Sequence, residues 1–84
     1  MNGKLTDVII EERTYRDDVG LIHFMNFNVW MDKSAVEAVK NIPGIEGVYN
    51  PLHGNEYTVY LDPRYDREYL RKEIEGQAKI HSDE

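Results

Sequence analysis

Cysteine is absent from this 84-residue chain, which excludes disulfides, thiolate metal centres, iron–sulfur clusters and cysteine nucleophiles. Cationic charge is scarce as well. Ten Lys and Arg stand against sixteen Asp and Glu, a net charge of −6, and that balance repels phosphate backbones and argues against nucleic acid as a partner. No apolar stretch is long enough to cross a bilayer, and Met1–Gly20 has neither the apolar segment nor the cleavage pattern of a secretory leader. A cytoplasmic protein without membrane contact is expected. Three prolines and six glycines are too few for a collagenous or low-complexity chain. A serine nucleophile elbow, a phosphate-cradling loop, an HExxH motif and a calcium loop are all missing. Asp17-Asp18 and Glu11-Glu12 read as solvation of a connector rather than as an acid/base pair. No residue set nominates a reaction, so a non-enzymatic protein without a cofactor is expected, with a small enzyme assembled from distant residues as an alternative.

What is present is enough for one small domain. Leu21 to Met31 is the most apolar run, with Leu21, His23, Met25, Phe27, Val29 and Met31 on one side and Ile22, Phe24 and Trp30 on the other, as in a central strand. Which side points inward stays open, because Phe24 and Phe27 fall on opposite faces. Asp32 or Ser34 can cap a helix, Ser34 with Glu37 forms a reciprocal capping pair, and Ala35, Ala38, Val39 and Ile42 supply an apolar stripe that ends before Pro43-Gly44. Ile45–Asn50 and Glu56–Leu61 read as a hairpin across a Pro51–Asn55 turn, with a bulge at Gly47 because Ile45 and Val48 cannot both face inward in a regular strand. Asp66 can cap a second helix over Arg67–Glu75 with Leu70 and Ile74 inward; Gly76 can end it, and Ala78-Lys79-Ile80 can form a closing strand.

The order strand, helix, strand, strand, helix, strand predicts an α+β fold, a ferredoxin-like βαββαβ two-layer sandwich over residues 21–80. Residues 1–20 form an N-terminal extension, with a strand or a loose arm at Leu5–Ile10 and a polar connector after it; residues 81–84 are a flexible tail. The expected core is Phe24, Val39, Ile42, Ile45, Val48, Val59, Leu61, Leu70 and Ile74.

Two kinds of site are candidates. His23, Met25, Met31 and His53 carry nitrogen and thioether donors of the type that suits copper(I), although His and Met on a strand are more often packing residues; the expected metal is none, with weak copper binding through His23, Met25 and Met31 as the alternative. Aromatic side chains give the stronger signal. Phe24, Trp30 and Tyr60 on an uncovered sheet face would make an adhesive surface, expected to bind a protein partner or a second copy as a homodimer. The Leu5–Ile10 run supports edge-strand pairing without specifying the edge.

Ala35-Val36-Glu37-Ala38-Val39-Lys40-Asn41-Ile42-Pro43-Gly44-Ile45, then Tyr57-Thr58-Val59-Tyr60-Leu61-Asp62-Pro63 and Leu70 through Ile74-Glu75, resemble the heavy-metal-associated domain family over residues 21–80. The resemblance implies a ferredoxin-like fold and a soft metal held by two cysteines in the loop entering the first helix. Counting back from Pro43-Gly44 puts those ligand positions at Asn28 and Met31, neither of which can act as a thiolate. The expectation is therefore a cysteine-less relative used for protein interaction.

Overall fold

The polar segment that follows Ile10 is a strand. In the computed structural model, which describes residues 8–50 and 54–81, Ile9–Arg16 forms β1 and Ile22–Trp30 forms β2, paired antiparallel. The connector expected over residues 11–18 is thus mostly strand. The strand expected at Leu5–Ile10 overlaps it only at Ile9 and Ile10, while Leu5 to Asp7 lie outside the described residues. An edge strand keeps much of its surface in water, so Glu11, Glu12, Arg13 and Arg16 are tolerated there, and the apolar alternation that usually reveals a strand is missing. The turn is built by one carboxylate and one glycine. Asp17 Oδ1 accepts the backbone N–H groups of Val19 at 3.0 Å and Leu21 at 2.8 Å, and Gly20 has φ +91°.

After β2 the chain makes a 3-10 turn at Lys33–Ala35 and a short helix α1, Val36–Lys40. Neither Asp32, before the 3-10 turn, nor Ala35, before α1, makes a side-chain cap bond; Asp32 instead accepts the Ala35 N–H through its backbone oxygen at 2.9 Å. β3 (Ile45–Tyr49) and β4 (Glu56–Leu61) form the expected antiparallel hairpin. Asp66 caps α2 (Arg67–His81), its Oδ2 accepting the Tyr69 N–H at 3.0 Å.

The expected closing strand at Ala78–Ile80 is the last turn of α2 instead. Leu70, Ile74 and Ala78, spaced by four, are all fully buried, so continuing the helix keeps one apolar stripe on the sheet. Gly76 lies on the exposed side, where an added Cβ would meet nothing within 4 Å. A glycine there costs about 1 kcal/mol relative to alanine, too little to end the helix. The element order is consequently β1-β2-α1-β3-β4-α2, and the sheet order is β1-β2-β4-β3, with every neighbouring pair antiparallel. The fourth strand comes from before β2, not from after α2. The described residues form a small α+β unit of one four-stranded antiparallel sheet and two helices.

Both helices cover the same face. Val39 and Ile42 from the α1 region and Leu70, Ile74 and Ala78 from α2 share one cluster with Phe27, Val29, Tyr57 and Val59 from the sheet. Phe24, Ile45, Val48 and Leu61 pack against it partly buried. Burying one Leu, Ile or Val side chain fully is worth about 1.5–3 kcal/mol, so this shared layer carries most of the stability.

Two bulges set the side-chain directions. In β1–β2 the pairing runs Arg13↔Asn26 and then Thr14↔Phe24, leaving Met25 as an extra residue. That single insertion brings Phe24 onto the face of Phe27 and Val29, where its ring meets Phe27 edge-on at 5.1 Å. In β3 the register shifts between Ile45 and Gly47, so Ile45 opposes Leu61 and Val48 opposes Val59 on the same helix-covered face.

Candidate functional site

Cross-strand partners share a face, so the pairings name the residues on the side of the sheet that carries no helix. β1 contributes Ile9, Glu11, Arg13 and Tyr15; their partners on β2 are Trp30, Asn28, Asn26 and His23. Glu56 and Thr58 of β4 face Trp30 and Asn28, and Tyr49 of β3 faces Thr58. Tyr60 belongs to the same face as Thr58 by alternation.

The middle of this face is polar and tightly held. Asn26 and Asn28 are each only 5% exposed, although no helix among the described residues covers them; Arg13 flanks Asn26, and Glu11 and Thr58 flank Asn28. The Asn26 amide donates to the Phe27 carbonyl at 3.0 Å and to Asn28 Oδ1 at 3.1 Å, and Asn28 Nδ2 donates to Glu56 Oε2 at 2.9 Å. Each buried amide is therefore bonded, as burial requires.

Aromatic groups stand on both flanks. Tyr49 and Tyr60 meet edge-on at 5.5 Å and line an open groove of about 490 Å³ with Glu46, Gly47 and Thr58. The Tyr49 ring folds back over Gly47, where a Cβ would come within 2.8 Å of it. On the other flank Tyr15 stacks on His23 at 4.9 Å, and His23 Nε2 lies 2.6 Å from Asp17 Oδ2. The Asp17 carboxyl is held below its ordinary value of 3.8, first by the bond with His23 and then by the Leu21 N–H, with smaller help from Val19 and Gly20. Away from this face, Asp62 does a structural job beside Pro63. Its carboxylate accepts the Arg64 guanidinium at 2.8 Å, which keeps it ionised below the usual range.

The expected interaction residues separate. Tyr60 is 43% exposed on the open face, and Trp30 is half-buried there at the end of β2, between Ile9 and Glu56. Phe24 is not on that face: the bulge at Met25 turns it toward the helices, and the Arg67 guanidinium covers its ring at 4.7 Å. Two open-face aromatics were missing from the expectation. Tyr15 sat in the segment read as a connector, and Tyr49 follows the bulge that reverses the alternation of β3; a period-two reading of Glu11, Arg13 and Tyr15 is the signal that finds the first.

The metal candidates do not converge. His23 and Met31 lie at opposite ends of β2, eight residues apart, which spans roughly 26 Å in extended chain. Met31 is fully buried in the core, Met25 is the half-exposed bulge residue, and His23 is engaged by Asp17. Asn28 is on the open face while Met31 is in the helix-covered core, so the two positions implied by the heavy-metal-associated resemblance do not face one another. His53 lies outside the described residues. Among the described residues there is no cluster of three or more His, Asp or Glu suited to a metal ion, and no helix is long and apolar enough to cross a membrane.

No family model matches the chain, and neither the curated proteins nor the solved structures contain a match to it.

Proposed function

We propose that the chain is a small non-catalytic protein-interaction module that associates with itself through its sheet. The observation that carries this reading is the sheet's one-sided cover: both helices lie on one face, while the other presents Ile9, Tyr15 and Tyr49 at half exposure or more, with Tyr60 beside them. Half-exposed tyrosines around a fixed polar centre suit contact with protein, since each ring offers apolar area at little entropic cost and a hydroxyl that stays solvated.

The scaffold is read as ferredoxin-like with its sequence order shifted. β2-α1-β3-β4-α2 reproduces the first five elements of βαββαβ, and β4 lies between the parallel strands β2 and β3 as in a split βαβ unit. β1 then takes the edge beside β2 that a strand after α2 would occupy. On this reading the heavy-metal-associated resemblance concerns the scaffold alone, and Asn28 serves the sheet through its bond to Glu56.

Sedimentation of the full chain from about 1 µM to about 1 mM tests the reading, a range that brackets weak to moderate association. A concentration-dependent rise in mass is expected. A chain that stays monomeric throughout overturns it. An anaerobic copper(I) titration should show no tight stoichiometric binding, and a competitive affinity lost in Met31→Leu would favour metal handling instead.

A further inference from the structure

We propose that β1 is the dimerisation strand: two copies join edge to edge, antiparallel, about a two-fold axis through Glu12, extending the sheet to eight strands. The inference rests on the self-association reading above and adds which edge is used and in what register.

Among the described residues β1 is an outermost strand, paired on one side only, by β2. The opposite outermost strand, β3, has five residues and a bulge at Gly47, whereas β1 has eight. The irregularity in the β1–β2 pair is an extra residue in β2, so β1 itself runs without an insertion. Long regular edges recruit partners unless something resists pairing, and the usual resistance is charge. In β1 the charges are self-complementary.

A continuous sheet with all helices on one side requires like faces to meet, which restricts the register to steps of two residues. Centred on Glu12, the pairing sets Arg13 opposite Glu11 of the second copy and Ile9 opposite Tyr15, each twice, on the helix-free face. Ile10 meets Thr14 on the helix side. One step in either direction sets Glu11 against Glu11 or Arg13 against Arg13, and like charges directly opposite destabilise a pair. In the favoured register Glu12 does meet Glu12. Each is accompanied by Arg67 of its own protomer, Nε to Oε2 3.8 Å, so the centre holds two charges of each sign. Among the described residues Glu11 and Arg13 form no ion pair within the protomer, which leaves both available to a second copy. Strand-to-strand contact is small for an interface, so a reversible dimer of about micromolar strength is expected.

Charge exchange tests the register. By sedimentation at low salt, Arg13→Glu and Glu11→Arg should each weaken the dimer at least about tenfold, or about 1.4 kcal/mol. The double variant E11R/R13E should recover parental association, and an equimolar mixture of the two single variants should form a heterodimer, because each then supplies the charge the other lacks. Both side chains are exposed, so thermal melts followed by circular dichroism should stay unchanged and exclude a folding defect. If singles weaken association but neither double variant nor mixture restores it, the register is wrong. If every variant associates like the parent, β1 is not the interface, although the module reading stands. A parent that never dimerises removes both.

Discussion

Single residues with several constraints on them offer the sharpest tests. Gly44 has φ +101°, and a Cβ there would lie 2.8 Å from the Tyr65 ring and 3.0 Å from Leu70. Gly20 has a similar φ of +91° with nothing within 4 Å. Alanine at position 20 should thus cost only the backbone term, about 1–2 kcal/mol, while Gly44→Ala adds a clash with a ring and a core leucine. The expected order in urea denaturation is wild type, then Gly20→Ala, then Gly44→Ala; equal losses would mean that Tyr65 moves aside freely. Asp17 makes a pH prediction. Its folded pKa lies below 3.8, so its contribution to stability is complete above that value and drains away as pH falls through the folded one. Stability should decline between about pH 4 and the folded midpoint more steeply in the parent than in Asp17→Asn. A carboxyl resonance for Asp17 titrating at or above 3.8 would contradict the bond to His23 as its cause.

Elements extend as far as their buried stripes do. α2 passes Gly76 because Ala78 continues the row begun by Leu70 and Ile74, and a helix-compatible glycine on the wet side is a site for improvement rather than a stop. Gly76→Ala should raise stability by about 0.5–1 kcal/mol, since the added Cβ meets nothing and the unfolded chain loses freedom. A loss of stability would indicate that the helix ends at Gly76 after all. Gly47 carries the opposite lesson: its bulge lets Ile45 and Val48 share the core face, and that apolar pair, three residues apart and so one out of phase, already pointed to it. The bulge at Met25 left the same mark, Phe24 and Phe27 also lying three residues apart, but no glycine to place it. Met, Asn and Phe in succession fit either phase of a strand, and only pairing with β1 reveals which residue is extra.

At the scale of the molecule, β1 changes what the chain is. The β1–β2 hairpin runs beyond the residues that β2 shares with β4, which helps to make the fold elongated, 49 × 24 × 18 Å with a radius of gyration of 13.4 Å, against about 12 Å for a compact chain of this length. Removing residues 1–16 takes Ile10 from the core margin and leaves β2 unpaired on one side. A domain this small has little surplus core, so that truncation should lose cooperative thermal unfolding; a sharp transition retained at the parental temperature would show that β1 is an accessory arm. The sequence alone determined the β2-α1-β3-β4-α2 order, the inward placement of Val39, Ile42, Leu70 and Ile74 and the lack of a thiolate site, because these follow from local periodicity and from residue types. Only the tertiary structure decided the fate of the charged stretch at Glu11–Arg16, the turning of Phe24 toward Arg67, the length of α2 and the sheet's fourth strand. Each of those depends on a neighbour distant along the chain, whose hydrogen bonds and buried surface outweigh the weak preference of the segment itself.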